Sequence, residues 1–223
     1  MLLLEIKPRR KHLTALLFSE DISEDLDCRR DSTGLPVIDS DLCDELKLKS
    51  NIEISEDEFL NIAEESERRR AKSKAMWLLA RQDMCSGQLY KKLKKDFPEP
   101  AAAFAVARVL ELGLINDEEY AGRLAESLIN EKGTAPRQAA YLMVQKGVDR
   151  ELAKMIIAER EDDPRVPLKN LVQKKYIRKL SNETDIKRTV AALQRKGFSY
   201  SDIRAVLDEL TNNYLGDSEF GDF

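Results

Sequence analysis

The sequence is poor in the residues that metal sites, disulfides and many catalytic sites need. Its 223 residues include a single histidine, His12, and three cysteines. Cys28, Cys43 and Cys85 form no Cys-x-x-Cys pair, so neither a zinc site nor a disulfide framework is indicated. One histidine also excludes a histidine-rich metal centre and any His-dependent catalytic pair away from residue 12. We therefore expect no metal, no cofactor and no enzymatic activity.

Long apolar segments are also missing. No stretch approaches the roughly 20 apolar residues of a membrane-spanning helix. The apolar residues 1–4 are followed at once by Glu5 and Lys7, so the sequence lacks the apolar stretch of a signal peptide. The hydrophobic content of 42% is nevertheless enough for a packed core. We expect a cytoplasmic protein that makes no membrane contact, and we expect a monomer.

Charge is abundant and unevenly distributed. Charged residues make up 35% of the chain, yet the net charge is only −4. Residues 1–66 carry −9 and residues 215–223 carry −3, whereas residues 67–214 carry +8. Residues 165–204 alone hold eleven Lys and Arg against three acids. This excess is either the solvated face of helices or an electrostatic footprint for a polyanion or an acidic protein groove.

The N-terminal segment has the pattern of a β-hairpin. Two segments rich in apolar residues, 2–7 and 13–18, flank Pro8-Arg9-Arg10-Lys11, which predicts two strands joined by a loop longer than two residues. Residues 35–38 are either a third strand or an extended connector. As a strand they would lie at an edge, because Pro36 donates no ladder hydrogen bond. Residues 19–33 are polar and acidic without an apolar period, which predicts a mobile loop.

Helical patterns dominate from Ser55 onward. Ser55 and Glu58 form a capping box, and apolar residues recur at helical spacing as far as Leu210. Residues 134–148 and 184–198 align without a gap at an offset of 50, and both end in Lys-Gly-hydrophobe. Glycine at this position allows the left-handed conformation in which a helix ends and the chain reverses. Residues 95–97, Lys-Asp-Phe, are a weaker copy in which Asp replaces the glycine.

These patterns predict a mainly α protein, an elongated array of three tandem three-helix repeats with a small N-terminal head that contains a β-hairpin. We expect neighbouring repeats of this array to share apolar faces. Whether the head packs on the first repeat or swings on residues 64–70 is open, and Trp77 is expected to pack between them. The predicted segments are an acidic β/α head at 1–66, repeats at 70–115, 116–162 and 163–214 (the last of them basic), and an acidic tail at 215–223.

Three motifs occur in order along this helical body. Residues 81–93 carry Arg…Ser-x-Gln-Leu…Leu, residues 113–121 carry Gly-Leu-Ile-Asn-Asp-Glu-Glu-Tyr-Ala, and residues 193–198 carry Leu-Gln-Arg-Lys-Gly-Phe. Together they resemble the RecX family, which modulates the bacterial RecA recombinase. The family more often has an acid where Gln88 stands and an arginine where Lys196 stands. The motif residues expected to be structural are Leu89, Leu93, Asp117, Tyr120, Gly147, Gly197 and Phe198.

The resemblance implies a non-enzymatic regulator with a place in recombination, DNA repair and the SOS response. Such proteins lie in the groove of the RecA–single-stranded DNA filament and inhibit its ATPase, strand exchange and co-protease activities. The partners implied are the RecA filament and, through it, single-stranded DNA. The expected contact surface is basic and consists of Arg137, Lys174, Lys175, Arg178, Lys187, Arg188, Arg195 and Lys196.

Two other functions stay open at the level of sequence. The helices on either side of Lys196-Gly197-Phe198 would also suit a helix-turn-helix that binds duplex DNA directly. Acidic residues on the last helix, Asp202 and Asp208 among them, weigh against that alternative. The third possibility is a helical-repeat scaffold for other partners.

Lys146 and Lys196, each taken alone, are explained by a favourable position near a helix C-terminus.

Overall fold

The computed structural model describes residues 1–20, 22, 28–160, 163–180 and 182–217, with Lys179 and residues 211–217 described by their backbone alone. The described part is mainly helical with a small N-terminal antiparallel sheet, as the sequence predicts. It divides into two compact units, Met1–Ile115 and Asn116–Phe223. Residues 21 and 23–27 of the predicted loop, and 218–223 of the predicted tail, lie outside the described residues.

The head is built on a four-stranded sheet in the order β3-β2-β1-β4. Strands β1 (Leu2–Arg9) and β2 (Leu13–Phe18) form the predicted hairpin, and β3 (Val37–Asp39) is the edge strand beside β2. Strand β4 (Ile52–Glu53) pairs with the other side of β1. The sequence did not indicate β4, because two residues are too few to show an alternation.

The described residues of the first unit also form four helices. These are α1 (Ser40–Glu45), α2 (Glu56–Leu79), α3 (Ser86–Leu93) and α4 (Glu99–Glu111). Helix α2 starts at the predicted capping box, where Ser55 and Glu58 each accept a hydrogen bond from the other's backbone N–H. Its N-terminal half covers the sheet, and Phe59 lies edge-to-face with Phe18 at 5.4 Å between ring centroids. Its C-terminal half packs on α3 and α4 through Ala71 and Ala75, both fully buried.

Because α2 runs without a break from 56 to 79, the predicted limits of the head at 66 and of the first repeat at 70 fall inside one helix. Ser66 and Glu67 are buried at this point and contact the head, and the Ser66 hydroxyl accepts a hydrogen bond from the Asp39 backbone N–H at 2.8 Å. Residues 64–70 are therefore not a hinge, and the head packs on α2.

Residues 28–33 make specific side-chain contacts, which the prediction of a mobile loop at 19–33 did not include. Asp31 pairs with Arg9 at 2.7 Å and accepts hydrogen bonds from Thr33 and from the Leu35 backbone N–H. The Thr33 and Arg9 contacts hold the pKa of the Asp31 carboxyl well below its usual range. An acidic, polar composition concealed these contacts, because none of them involves an apolar period.

The second unit contains two further sets of three helices. The first set is α5 (Asp117–Glu126), which continues as a π-helical turn (Ser127–Glu131), then α6 (Pro136–Gln145) and α7 (Arg150–Ala158). The second set is α8 (Arg165–Lys175), a 3₁₀ turn (Ile177–Lys179), α9 (Glu183–Arg195) and α10 (Tyr200–Asp217). The α8–α10 core is aliphatic and aromatic, and its buried residues include Leu168, Val172, Leu193, Phe198 and Ile203.

The two Lys-Gly-hydrophobe sequences reverse the chain as the pattern predicts. Gly147 and Gly197 have φ values of +100° and +92°, and the following Val148 and Phe198 are buried. Asp96 differs, because its φ is not positive and the Phe97 backbone N–H instead bonds to the Leu93 carbonyl at 3.0 Å. The expectation that Asp would replace glycine in the left-handed region is wrong, since a Cβ makes that conformation costly.

Candidate basic interface

The eight predicted contact residues differ in whether an acid already pairs with them. On α9, Lys187 lies 2.6 Å from Glu183 and Arg188 lies 3.4 Å from Asp185. Both pairs are i,i+3 or i,i+4 neighbours, and the two acids lie in the first turn of the helix, where they also favour the helix dipole. A cation that is already paired contributes less to an outside partner, so Lys187 and Arg188 are the weaker members of the predicted surface.

The end of α8 presents cations without such partners. Lys174 and Lys175 form its last turn and Arg178 follows in the 3₁₀ turn, and all three are exposed. Within the described residues, none of the three has a carboxylate at salt-bridge distance. Arg137, exposed on α6, likewise has no carboxylate at salt-bridge distance among the described residues. These four residues therefore keep their full charge for an external partner.

Backbone contacts bring α6 and the end of α9 together. The Ala135 backbone N–H donates to the Lys196 carbonyl at 2.9 Å, and the Lys196 ammonium donates to the Lys132 carbonyl. A Cβ at Gly197 would lie 2.5 Å from Gln138 Cβ, so only glycine permits this approach. Gly133 has the same role against Leu171 of α8, where a Cβ would lie 2.6 Å from Cδ1.

This packing places the predicted cations of three helices around one junction. Partial burial, and then the nearby Lys175 charge, lower the pKa of Lys196. Lys174 and Lys175 line a cavity of about 250 Å³ between the π-helical turn and α8, together with Asn170 and Glu131. Lys174, Lys175 and Lys196 are thus grouped, and Arg137 is two residues from Ala135, which bonds to the Lys196 backbone. Lys187 lies about 13 Å along α9 from Lys196, at 1.5 Å per residue.

The remaining members of the predicted set are placed as follows. Arg195, near the end of α9, is exposed and its Nε donates to the Ala191 carbonyl at 3.3 Å. Leu89 and Leu93 are fully buried, and Tyr120 is half-buried on α5. Asp117 is the first residue of α5, directly after the N-cap Asn116. These motif residues contribute to the helix cores and helix starts, and they do not lie on the basic junction.

Three acids of α10 form ion pairs within the α8–α10 set. Asp202 pairs with Arg165 at 3.1 Å, Glu209 with Lys169 at 2.6 Å and Asp208 with Arg204 at 3.7 Å. Hydrogen bonds from Ser199 and Arg165 lower the pKa of the Asp202 carboxyl. A helix that carries these three acids is a poor fit to the negatively charged major groove of DNA.

Sequence reasoning missed an ion-pair cluster that fixes the head. The buried Glu67 carboxylate accepts from Arg29 at 2.8 Å and from Arg70 at 2.7 Å. Arg29 also donates to the Asp96 carbonyl at 2.6 Å, and both guanidinium carbons lie 5.6 Å from the Phe97 ring centroid. The Glu67 hydrogen bond raises the pKa of Arg29, whereas burial lowers that of Arg70. No periodic signal marks Arg29, which lies in the segment predicted to be mobile.

Trp77 is also placed differently from the prediction. Its side chain is 48% exposed and does not belong to the core between the head and the first helices. The Lys74 ammonium lies 4.6 Å, and the Arg81 guanidinium carbon 4.3 Å, from the ring centroid. The indole therefore holds two cations at the surface of the first unit.

Two other kinds of site are absent from the residues that the structure describes. No group of three or more His, Cys, Asp and Glu there is arranged to hold a metal ion. Among the same residues, no helix combines the length and the apolar character needed to cross a bilayer.

Comparison with known proteins gives one consistent result. A family model described as the third three-helix domain of RecX matches residues 168–207. The regulatory protein RecX of Streptomyces coelicolor is 30% identical over 136 residues, which cover 57% of this chain and 72% of that protein. RecX of Clostridium perfringens is 28% identical over 183 residues, covering 77% and 85% of the two chains.

Two solved structures share the fold. A crystal structure of regulatory protein RecX matches with a TM-score of 0.59 at 18% identity and covers 92% of this chain and 98% of its own. RecX from Lactobacillus salivarius matches with a TM-score of 0.52 at 23% identity, covering 65% of this chain and 97% of its own. These identities establish a common fold, which includes the mainly helical organisation described above.

Proposed function

The chain belongs to the RecX family of regulatory proteins, and on that premise we propose that it is a non-enzymatic regulator that binds the RecA–single-stranded DNA filament. Its binding would inhibit the ATPase, strand exchange and co-protease activities of the filament. The proposal draws on the resemblance of its three sequence motifs and on the basic junction of the second unit.

The observation that carries the proposal is the set of unpaired cations at the end of α8. Lys174, Lys175 and Arg178 are exposed and adjacent, and no described carboxylate neutralises them. Surface charges that already form ion pairs gain little from a new partner, whereas unpaired ones gain Coulomb energy and release counterions from a polyanion. A filament that presents acidic grooves or DNA phosphates is such a partner.

Two variants of equal charge change test which cations matter. Lys174→Gln, Lys175→Gln and Arg178→Gln together remove three unpaired charges. The matched control, Arg165→Gln, Lys169→Gln and Arg204→Gln, removes three cations of the same helix set that are paired with acids. The control cations already pair with acids, so their loss should change inhibition little.

The measurement is RecA ATPase on single-stranded DNA, titrated with each protein at several salt concentrations. We expect the first variant to need about tenfold more protein for half-inhibition and to show a weaker salt dependence, as loss of about three polyanion contacts requires. The control should stay within about twofold of wild type. If the first variant inhibits as well as wild type does, the α8 surface is not the contact.

Binding to naked duplex DNA distinguishes the helix-turn-helix alternative from the proposed function. The ion pairs of the α10 acids disfavour that alternative, and we expect weak binding without sequence preference. Tight, sequence-specific binding without RecA would instead support direct duplex recognition. A protein that bound neither RecA filaments nor DNA would leave the scaffold alternative.

A further inference from the structure

An open cleft of about 840 Å³ lies within the first unit, between the head, α2 and the turn that follows α3. It belongs to the half of the molecule with the acidic head, and the proposed function does not use it. Five Lys and Arg line it against three Asp. The lining residues that bear on its chemistry are Lys11, Arg70, Lys74, Trp77, Lys95 and Phe97.

The acids of the cleft are largely engaged within the protein. The Asp39 carboxylate caps α1 by accepting from the Leu42 backbone N–H at 3.2 Å, and Asp96 lies beside the Arg29 guanidinium, whose charge it supports. Lys11, Lys74 and Lys95, by contrast, have no carboxylate at salt-bridge distance among the described residues. The cleft therefore offers unpaired ammonium groups from the hairpin turn, from α2 and from the turn after α3.

Trp77 provides a different kind of contact at the same place. Its half-exposed ring carries Lys74 at 4.6 Å and Arg81 at 4.3 Å, and it borders the cleft. An exposed aromatic ring set among cations is how proteins hold single-stranded nucleic acid, since a base stacks on the ring while the cations contact the backbone. A stacking base would displace one cation from the ring face and leave it close to a phosphate.

The hairpin turn supports the same interpretation. Lys11 and His12 have φ values of +63° and +54°, a left-handed conformation that glycine and asparagine adopt at lower cost. Both residues line the cleft. The turn thus places a lysine in the lining of the cleft, in a backbone conformation that costs more for lysine than for glycine or asparagine.

We propose that this cleft binds single-stranded nucleic acid directly, with a base stacked on Trp77 and phosphates on Lys74, Lys95 and Lys11. An acidic peptide would satisfy the lysines but would supply no flat ring for the indole. The site requires no RecA, so it stands or falls separately from the proposed function.

The chain contains a single tryptophan, so emission excited selectively over its six tyrosines reports on Trp77. The full-length protein is titrated with a short oligothymidylate at low salt and without RecA. We expect saturable quenching of the Trp77 emission that is reversed by added salt. An abasic oligonucleotide of equal length should bind more weakly and leave the emission unchanged, because it has phosphates but no bases.

Variants then connect the quenching to the proposed residues. Lys74→Gln with Lys95→Gln should weaken the affinity measured by quenching about tenfold, since two phosphate contacts are lost. Lys47→Gln with Lys49→Gln is the matched control, because both lysines are exposed on the same unit and do not line the cleft. Trp77→Leu, followed through the anisotropy of a labelled oligonucleotide, should weaken binding about tenfold through lost stacking. Circular dichroism checks that each variant is folded.

Three results would overturn the proposal. The first is oligothymidylate binding, seen by anisotropy, that leaves the Trp77 emission unchanged, because the strand would then occupy another surface. The second is polyglutamate that binds and quenches as strongly as the oligonucleotide, which would assign the cleft to an acidic protein segment. The third is equal weakening by the Lys47 and Lys49 control, which would reduce the effect to net charge.

Discussion

Two chain reversals with similar sequences, Lys95-Asp96-Phe97 and Lys196-Gly197-Phe198, do different work in the two units. Gly197 adopts a left-handed conformation and permits the close approach of Gln138, which joins α6 to the end of α9. Asp96 keeps an ordinary φ, and its carbonyl and the next ring receive Arg29 from the head. One reversal builds the basic junction, and the other anchors the sheet.

The helices that follow these reversals also start differently. Asp149 caps α7 after Gly147, and Ser199 accepts a hydrogen bond at the start of α10 after Gly197. Helix α4 starts after Pro98, which provides no side-chain cap. The turn at residues 95–97 thus has the same helix order as the other two but lacks the glycine and the polar cap. It contacts Arg29 of the head instead.

Gly197→Ala should cause the largest loss of stability. The substitution forces alanine into the left-handed region and places its Cβ 2.5 Å from Gln138 Cβ, so either the turn or α6 must shift. The conformational cost and the overpacking together should lower the free energy of unfolding by about 3 kcal/mol. Urea denaturation followed by circular dichroism measures this.

Gly113→Ala isolates the conformational part of that effect. Gly113 has a φ of +65°, and a Cβ there meets no atom within 4 Å. It should lose only about 1 kcal/mol. Equal losses at the two positions would show that the approach of α6 to Gly197 contributes nothing.

Glu67→Gln tests the ion-pair cluster that holds the head. The substitution leaves Arg29 and Arg70 close together without their shared carboxylate, whose side chain is 10% exposed. Removing one partner of a largely buried cluster should cost about 2 kcal/mol. Glu64→Gln removes an exposed partner at 3.5 Å from Arg68 and should cost less than about 0.5 kcal/mol. Similar losses for both variants would show that the head is not held by this cluster.

The sequence predicts most of the helices because helical periodicity and caps are local. The hairpin, the capping box at Ser55 and the left-handed glycines at 147 and 197 follow from residues close to one another in the chain. The conformation of segment 28–33 and the docking of the head do not. They depend on contacts between Arg29 and Glu67, 38 residues apart, which no periodicity reveals.

The candidate surfaces show the same limit. Local charge density points to residues 165–204, but it cannot distinguish Lys187, which a neighbouring acid neutralises, from Lys174, which is unpaired. Segment charge also averages away the cations of the first unit, where Lys11, Lys74 and Lys95 meet at one cleft from three separate elements. Grouping of this kind appears only once the chain is folded.

Asp96→Gly sharpens the contrast between the two reversals at a smaller scale. If Asp96 were left-handed, glycine would relieve strain and stabilise the protein. Since its φ is not positive, glycine adds freedom to the unfolded chain and also removes the carboxylate beside Arg29, so it should destabilise by at least about 0.5 kcal/mol. A gain in the urea midpoint would contradict the conformation described for this turn.

Asp149→Ser should have the smallest effect at neutral pH, because serine is an equally good N-cap. Hydrogen bonds from the Leu152 and Glu151 backbone N–H groups lower the pKa of Asp149. A lowered folded-state pKa means that this stabilisation is present above the unfolded value, near 3.9, and is lost as the pH falls through the folded value. Acid titration of urea stability should therefore show a larger loss below about pH 4 for wild type than for Asp149→Ser. Asp44→Ser, which removes an exposed charge from α1, should keep the wild-type loss, and an unchanged titration in Asp149→Ser would show that the cap does not contribute.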